Sequence, residues 1–172
     1  MPLRPLDPDS PDDVAALGHV HATTRRAAYA GLVPDDALDR VTAQSQTAVW
    51  RTRVAEAPDP SVLLVWEHDG FVAGFAFGIT GPTRTTGLLQ ALHVLPVLHG
   101  SGAARALHDG VLAAFDTWGC DRAQLWVVSG NARAQAFYGK HGWVFDGTRG
   151  RNDVGGVDVG TERWTRPVHH PR

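Results

Sequence analysis

Val94-Leu-Pro-Val-Leu-His-Gly-Ser-Gly-Ala-Ala-Arg-Ala-Leu107 is the stretch of sequence on which the fold prediction rests. An apolar run over 88–95 leads into it and stops at Pro96, and a loop of small residues follows over 99–104. Apolar residues then recur at helical spacing as far as Phe115. A strand, a glycine loop and a helix in this order direct backbone N–H groups toward an anion. An ordinary strand-to-helix turn explains the same residues, so the loop alone leaves both interpretations open.

The composition is that of an ordinary globular chain. It has 172 residues, of which 43% are hydrophobic and 20% charged, and its formal net charge is −2. This charge does not indicate a nucleic-acid partner or a membrane surface. The single cysteine, Cys120, excludes an internal disulfide and a cysteine-based metal site. No apolar run approaches the roughly 20 residues that span a bilayer, and 1–4 lack a signal-peptide pattern. We therefore expect a cytoplasmic protein.

Helices and strands are predicted on both sides of the glycine loop. Polar and glycine-rich residues over 149–160 predict a mobile loop, and the tail 167–172 is expected to be frayed. The predicted strands cover 3–6, 61–66, 71–79, 87–95, 122–128, 143–145 and 161–165. The predicted helices cover 11–29, 35–41, the region around 47–54, the segment after the loop, and 132–140.

This order of elements predicts an α/β fold in a single domain, 1–172. The three strands before the loop form an antiparallel meander, in which Asp69-Gly70 marks a hairpin turn. The strand, loop, helix and strand that follow form a right-handed parallel crossover. We expect a mixed, mostly antiparallel central sheet flanked by helices.

Two motifs, in this order, resemble the GNAT superfamily of acyl-CoA-dependent N-acyltransferases. The segment 99–104, His-Gly-Ser-Gly-Ala-Ala, is similar to the family's acyl-CoA loop, Arg/Gln-x-x-Gly-x-Gly/Ala. The segment 131–143, Asn-Ala-Arg-Ala-Gln-Ala-Phe-Tyr-Gly-Lys-His-Gly-Trp, is similar to the family's Asn-x-x-Ala-x-x-Phe-Tyr-x-Lys-x-Gly-Phe run. The resemblance is best over 88–145 and implies an acyl-CoA core at about 62–146. It also implies acetyl-CoA as the co-substrate. The nine histidines are scattered and show no metal-site spacing, so no metal is expected.

The resemblance implies a coenzyme site on the loop and on the strand before it. Backbone N–H groups of the loop hold the pyrophosphate, and the strand edge pairs with the pantetheine arm. Asn131 contacts the coenzyme, caps its helix, or does both. His99 stands where the family has Arg or Gln. The predicted coenzyme-binding residues are Leu92, His93, Val94, His99, Gly100, Ser101, Gly102, Ala103, Ala104, Arg105 and Asn131.

Tyr138 is the predicted catalytic residue, because the resemblance places its phenol near the thioester sulfur. There it supplies a proton to the departing thiolate. A backbone N–H, that of His93 or Val94, polarises the thioester carbonyl. The general base stays open, because the family's glutamates correspond to Leu88 and Trp126 in this chain. The candidates are His93, a residue of the N-terminal helices and a water chain; an amine of low pKa needs no base.

The predicted function is transfer of an acetyl group from acetyl-CoA to a primary amine of a small molecule, directly and with no covalent enzyme intermediate. Tyr29 and Trp126 are predicted to line the acceptor pocket, and Trp50 is a further candidate. One alternative is a non-catalytic module that binds or senses acyl-CoA. Another is an acetyltransferase acting on a protein N-terminus or lysine. Relatives often form dimers, so a homodimer is also expected.

Overall fold

The structure, a computed structural model, describes residues 1–169. Its strands are β1 (Leu3–Pro5), β2 (Ser61–His68), β3 (Phe71–Thr80), β4 (Thr86–Val94), β5 (Arg122–Val128), β6 (Val144–Val154) and β7 (Val157–Pro167). Its α-helices are α1 (Pro11–Tyr29), α2 (Asp35–Asp39), α3 (Ala43–Ala55), α4 (Ala103–Thr117) and α5 (Ala132–Lys140). None of the helices in this part of the chain is long and apolar enough to cross a membrane.

The strands form one mixed sheet with the order β1-β2-β3-β4-β5-β7-β6. Neighbouring strands are antiparallel except β4 and β5, which are parallel and are joined through α4. The predicted fold class is therefore confirmed, including the parallel crossover after the antiparallel meander.

Helices cover both faces of the sheet. On one face, α1 and α3 pack over β3 around Leu17, Trp50 and Phe75, all of which are fully buried. On the other face, α4 lays Leu107 and Phe115 against β2, β3 and β4. Burial of these apolar faces holds the helices on the sheet, since short helices are marginal in isolation.

The prediction of a mobile loop over 149–160 is wrong. These residues belong to a long hairpin in which β6 pairs with β7 from Arg149 to Val154. Gly155 and Gly156, with φ of 59° and 85°, form its turn, a backbone region that other residues adopt with difficulty. Arg151 and Asp158 form a diagonal ion pair of 2.8 Å across the hairpin. The polar, glycine-rich sequence is therefore that of an exposed two-stranded ribbon.

The chain beyond β7 packs back on the body of the protein. Val168 is 7% exposed and belongs to the core between α4 and the sheet. Its N–H donates to the carbonyl of Asp121 at 3.1 Å. The tail expected to be frayed thus starts with the last residue of β7, Pro167, and continues with the buried Val168. Its last three positions, 170–172, lie outside the described residues.

Candidate active site

The parallel strands β4 and β5 separate soon after they begin to pair. Their register extends only from Thr86–Arg122 to Leu88–Gln124, although β4 continues to Val94 and β5 to Val128. The remainder of the two strands therefore diverges and leaves a notch in the middle of the sheet. The notch opens a main-chain edge of β4 to any extended ligand that can pair with it.

A cleft of about 1190 Å³ occupies this notch and continues along α1, the glycine loop and α5. It brings together residues that are far apart in sequence. Of the predicted site residues it is lined by Tyr29, Leu92, His93, Val94, His99, Gly100, Gly102, Ala104, Arg105, Trp126, Asn131 and Tyr138. Ser101 and Ala103 do not line it.

The glycine loop ends at Gly102, the residue before the first turn of α4. The φ of Gly102 is 92°, in the left-handed region that glycine adopts readily. Within residues 1–169 the N–H groups of Gly100, Gly102, Ala104 and Arg105 donate to no protein acceptor. The other two predicted donors are engaged: the N–H of Ser101 bonds a carbonyl of the preceding turn at 3.1 Å, and that of Ala103 bonds the Ser101 hydroxyl at 3.2 Å. The free donors and the helix dipole together form an anion site.

The register of β4 decides which of its N–H groups face the notch. The N–H of Leu95 donates to Ala73 of β3, and this register continues through the His93–Phe75 pair. Hydrogen bonding alternates along an antiparallel strand, so the N–H of His93 also points at β3. The N–H groups of Leu92 and Val94 point away from β3, toward the notch. Of the two predicted oxyanion donors, Val94 therefore has the free N–H.

Asn131 is the N-cap of α5, because its Oδ1 accepts a hydrogen bond from the N–H of Ala134 at 3.3 Å. The carboxamide nitrogen has no partner among residues 1–169 and belongs to the lining of the cleft. The cap thus uses one end of the side chain and leaves the other end free for a ligand.

The Tyr138 hydroxyl lies in the cleft and makes no hydrogen bond within the described residues. Its ring packs against Trp143 and Phe137, with centroids 5.8 and 5.4 Å away. Burial, with a smaller contribution from nearby Tyr29, raises the pKa of the phenol. Tyr138 is therefore a protonated donor at neutral pH whose ring is held by packing.

The side chain of His93, a residue of β4, is directed toward α1. Its Nδ1 is 2.9 Å from the hydroxyl of Thr24, which itself donates to the carbonyl of His21. The hydroxyl must then accept from Nδ1–H, which leaves the lone pair on Nε2. Burial, followed by the positive charges of Arg25 and Arg53, lowers the pKa of His93 to about 3. The ring is accordingly neutral, with Nε2 as an acceptor.

The three aromatic residues predicted for the acceptor pocket differ in their positions. Trp126 is 51% exposed and Tyr29 is partly buried, and both line the cleft. Trp50 is fully buried, and its Nε1 donates to Nδ1 of His21 at 2.8 Å. The predicted pocket role of Trp50 is therefore wrong, because its whole surface is used in the core between α3 and β3.

Two arginines of the site were missed by the sequence analysis. Arg25 of α1 and Arg53 of α3 both line the cleft, and Arg53 donates to Oε1 of Gln90 at 3.1 Å. The sequence carries one weak signal for Arg25: no acidic residue stands three or four positions away on its helix. Only the tertiary structure shows that α1 and α3 direct the two side chains to one place.

Among residues 1–169, no group of three or more His, Cys, Asp or Glu side chains is arranged to hold a metal ion. Cys120 is fully buried, 3.7 Å from the carbonyl of Arg84, and lies outside the cleft. The groups that line the cleft include backbone N–H groups, the phenols of Tyr29 and Tyr138, imidazoles and arginines.

Comparison with known proteins gives a consistent result. A model of the Acetyltransferase (GNAT) family matches residues 26–143. An uncharacterized N-acetyltransferase of Mycobacterium tuberculosis is 45% identical over 87 residues, which are 51% of this chain and 55% of that protein. The mycothiol acetyltransferase of Beutenbergia cavernae is 38% identical over 87 residues, which are 50% of this chain and 29% of that protein. The chain thus spans about half the length, or less, of these curated relatives.

A solved structure shows a similar fold. The crystal structure of the PaiA N-acetyltransferase from Thermoplasma acidophilum, in complex with coenzyme A, aligns with a TM-score of 0.73 at 17% identity. The alignment covers 94% of this chain and 98% of that one. At this identity the likeness concerns the fold alone.

Proposed function

The chain belongs to the Acetyltransferase (GNAT) family, and from this premise we propose that it transfers the acetyl group of acetyl-CoA to the amino group of a small molecule. The observation that carries the proposal is the cleft itself. One continuous space joins the free N–H groups of the glycine loop, the open edge of β4 and the hydroxyl of Tyr138.

The residues present fit acetyl-CoA as a co-substrate. The free N–H groups of Gly102, Ala104 and Arg105 suit its pyrophosphate, as anions bind at helix N-termini. The N–H groups of β4 that face the notch suit the amides of an extended pantetheine arm. The free carboxamide nitrogen of Asn131 is a further donor on the opposite wall.

In the proposed reaction the amine nitrogen attacks the thioester carbonyl carbon, so that a C–N bond forms and the C–S bond breaks. The N–H of Val94 stabilises the negative charge that develops on the carbonyl oxygen. Tyr138 donates its proton to the departing sulfur, and the proton lost by the nitrogen restores the phenol through solvent. The raised pKa of Tyr138 means that the phenol still carries its proton when the thiolate forms.

Nε2 of His93 is the proposed acceptor for the attacking amine. A neutral imidazole accepts a hydrogen bond from the amine and orients its lone pair toward the carbonyl. With a pKa of about 3 the ring is a weak base. The amine therefore has to reach the site already deprotonated, and it loses its first proton to bulk water.

An assay of acetyl transfer tests the proposal. The purified chain is incubated with acetyl-CoA and a panel of small-molecule amines, and free CoA thiol is measured together with the mass of the acetylated product. We expect amine-dependent thiol release for at least one class of small amine. Peptides with a free N-terminus or an internal lysine form a second panel, and a preference for them would favour a protein acetyltransferase.

Coenzyme binding is measured in parallel by calorimetry. Tight binding of acetyl-CoA without turnover of any amine or peptide would contradict the proposed transfer and favour a module that senses acyl-CoA. Failure to bind acetyl-CoA would remove both.

A further inference from the structure

In the part of the chain that the structure describes, Arg25 and Arg53 have no acidic partner, unlike seven other arginines. Arg4, Arg26, Arg40, Arg105, Arg149, Arg151 and Arg163 each form an ion pair with an aspartate or glutamate. Arg25 forms none within residues 1–169, and its Nε is buried without a hydrogen-bond partner. Among the described residues, the only acceptor of Arg53 is the neutral carboxamide of Gln90, at 3.1 Å. Arg25 of α1 and Arg53 of α3 therefore enter the cleft without a compensating negative charge among the described residues, and Arg133 of α5 lines the cleft in the same condition.

The surroundings of the pair do not supply that charge. Among the described residues that line the cleft there is no aspartate or glutamate. The positive charge of Arg25 reaches Arg53 and acts with burial to lower its pKa, so the two cations repel each other. Arg53 is held in place by packing on Trp50, whose ring centroid is 4.5 Å from its guanidinium carbon. Partly buried like charges without a counterion are costly, and a bound anion removes that cost.

The pair lies at the acceptor end of the cleft, away from the glycine loop. Gln90, which holds Arg53, precedes Val94 by four residues of β4, or about 13 Å along the strand. Arg25 adjoins Thr24, whose hydroxyl contacts Nδ1 of His93. Its guanidinium carbon also lies 5.8 Å from the ring centroid of Tyr29. An anion here would be close to the groups proposed to receive the amine.

We infer that the acceptor is a small amine that also carries a carboxylate, and that Arg25 and Arg53 bind this carboxylate. The inference rests on the proposed acetyltransferase function and names its substrate class. Arginine is suited to the task, because its planar fork matches the two oxygens of a carboxylate. A polycationic amine, by contrast, would place its charges against the two guanidinium groups.

Matched substrates test the inference on the unmodified protein. L-amino acids with different side chains are compared with their carboxamides, which keep the amine and the side chain but lose the negative charge. We expect kcat/KM to be about 10- to 100-fold higher for the acids, the size of one charge-assisted contact. The amines of the carboxamides are less basic, so a larger fraction of them is in the reactive neutral form at a given pH. A higher kcat/KM for the acids therefore cannot be explained by the supply of neutral amine. Equal rates, or a preference for carboxamides or diamines, would overturn the inference and leave the acetyltransferase function standing.

Binding gives a second readout that needs no turnover. In the presence of CoA, the N-acetyl-L-amino acids and their neutral N-acetyl carboxamides are titrated by calorimetry. Tighter binding of the anionic probes supports the arginine site even if no amine is acetylated, in which case the proposed transfer alone fails. No preference for the anionic probes overturns the inference.

Arginine variants locate the effect. Arg25→Gln and Arg53→Gln are expected to raise KM for the carboxylate acceptor at least tenfold, with KM for acetyl-CoA within twofold of wild type. Arg51→Gln is the matched control, because Arg51 is exposed on the same helix as Arg53 and does not line the cleft. Arg53→Lys keeps the positive charge and the aliphatic part of the side chain but loses the planar guanidinium. It replaces Arg53→Gln in the same KM measurement if the glutamine variant folds poorly. If substitution of either arginine lowered kcat/KM equally for acids and for carboxamides, the arginines would have a structural role, and the assignment would be overturned.

Discussion

At the scale of single residues, Tyr138 offers the sharpest test of the proposed chemistry. Its hydroxyl has no hydrogen-bond partner within residues 1–169, so Tyr138→Phe removes one oxygen and leaves no protein group unsatisfied. We expect kcat to fall about 100-fold, the usual contribution of a positioned acid. Initial rates of CoA thiol release at saturating acetyl-CoA measure this fall in kcat.

Thermal melting and pH dependence serve as the controls for this variant. The melting temperature and the Kd for acetyl-CoA should match wild type, since the ring keeps its packing on Phe137 and Trp143. The raised pKa of the phenol also predicts that wild-type kcat does not decline through tyrosine ionisation below about pH 10. A Tyr138→Phe protein with wild-type kcat at every pH tested would remove Tyr138 from the mechanism.

The residues that sequence could identify are those carried by contiguous motifs. The glycine loop, Asn131 and Tyr138 stand at fixed spacings in motifs that resemble a known family, so they could be singled out from the sequence, and all of them contribute to the lining of the cleft. Their roles stay predictions. Arg25 and Arg53 stand 28 positions apart on two helices, and their proximity depends on how α1 and α3 pack over β4. The choice between His93 and Val94 as the free N–H likewise required the register of β4 against β3.

At the scale of elements, the start of α5 combines a helix cap with a proposed coenzyme contact, and Asn131→Asp separates them. Aspartate caps as well as asparagine does, so the melting temperature should stay within about 1 °C of wild type. The substitution replaces the free N–H donor by a carboxylate oxygen. KM for acetyl-CoA should therefore rise about tenfold, as expected for one lost hydrogen bond and added repulsion. Initial-rate kinetics and calorimetry with acetyl-CoA measure it, and an unchanged affinity would restrict Asn131 to capping.

The crossing of α4 over the sheet depends on a glycine of β4. A Cβ added at Gly87 would lie 2.3 Å from the ring of Phe115. Gly87→Ala should therefore force α4 outward and lower the free energy of unfolding by about 1–3 kcal/mol. Urea denaturation followed by circular dichroism measures the loss.

Gly139→Ala is the matched control for this substitution. Gly139 lies in α5, and the nearest atom to an added Cβ is 4.0 Å away, in Trp164. The same chemical change should be neutral or stabilise the protein by up to about 1 kcal/mol, because alanine favours helix. Equal destabilisation of both variants would mean that contact with Phe115 is not the reason for the small residue at 87.

Element prediction succeeded where hydrophobic periodicity was strong and failed where pairing was polar. Helices α1 and α5 begin at recognisable caps, Ser10 and Asn131, and their predicted bounds agree with the structure. The β6–β7 ribbon has mostly exposed residues on β6, so no alternation of burial marks it in the sequence. Its pairing depends instead on main-chain hydrogen bonds and cross-strand ion pairs, which composition does not reveal.

At the scale of the whole molecule, two histidines join the helical layer to the sheet: His21 is buried and His93 is partly buried. His21 of α1 and His93 of β4 stack with ring centroids 4.5 Å apart, beneath Trp50 of α3. Burial is the first cause of low pKa values for both, about 2 for His21 and about 3 for His93, with Arg25 and Arg53 adding to it. The folded protein therefore keeps this junction neutral.

The sign of the pH dependence follows from these values. An unfolded chain protonates its histidines near pH 6.5, whereas the folded junction does not until the pH approaches about 3. The stability that the neutral rings contribute is complete above about pH 6.5 and is lost as the pH falls toward 3. For His93 alone the loss from about pH 7 to about pH 5 amounts to roughly 2 kcal/mol of unfolding free energy. Asp13, held ionised by Arg4, adds its own loss only at lower pH, where carboxyl groups titrate.

Urea denaturation of wild type and His93→Asn at the two pH values measures this contribution. Asparagine can still donate to the Thr24 hydroxyl but does not titrate, so the variant should lose about 2 kcal/mol less than wild type between about pH 7 and about pH 5. The matched control is His19→Asn, because His19 is exposed on α1 and should leave the wild-type pH dependence unchanged. Equal pH dependence in wild type and His93→Asn would mean that His93 is already charged in the folded protein. In that case a carboxylate acceptor would meet three positive groups at this end of the cleft, and His93 could not accept a hydrogen bond from the amine.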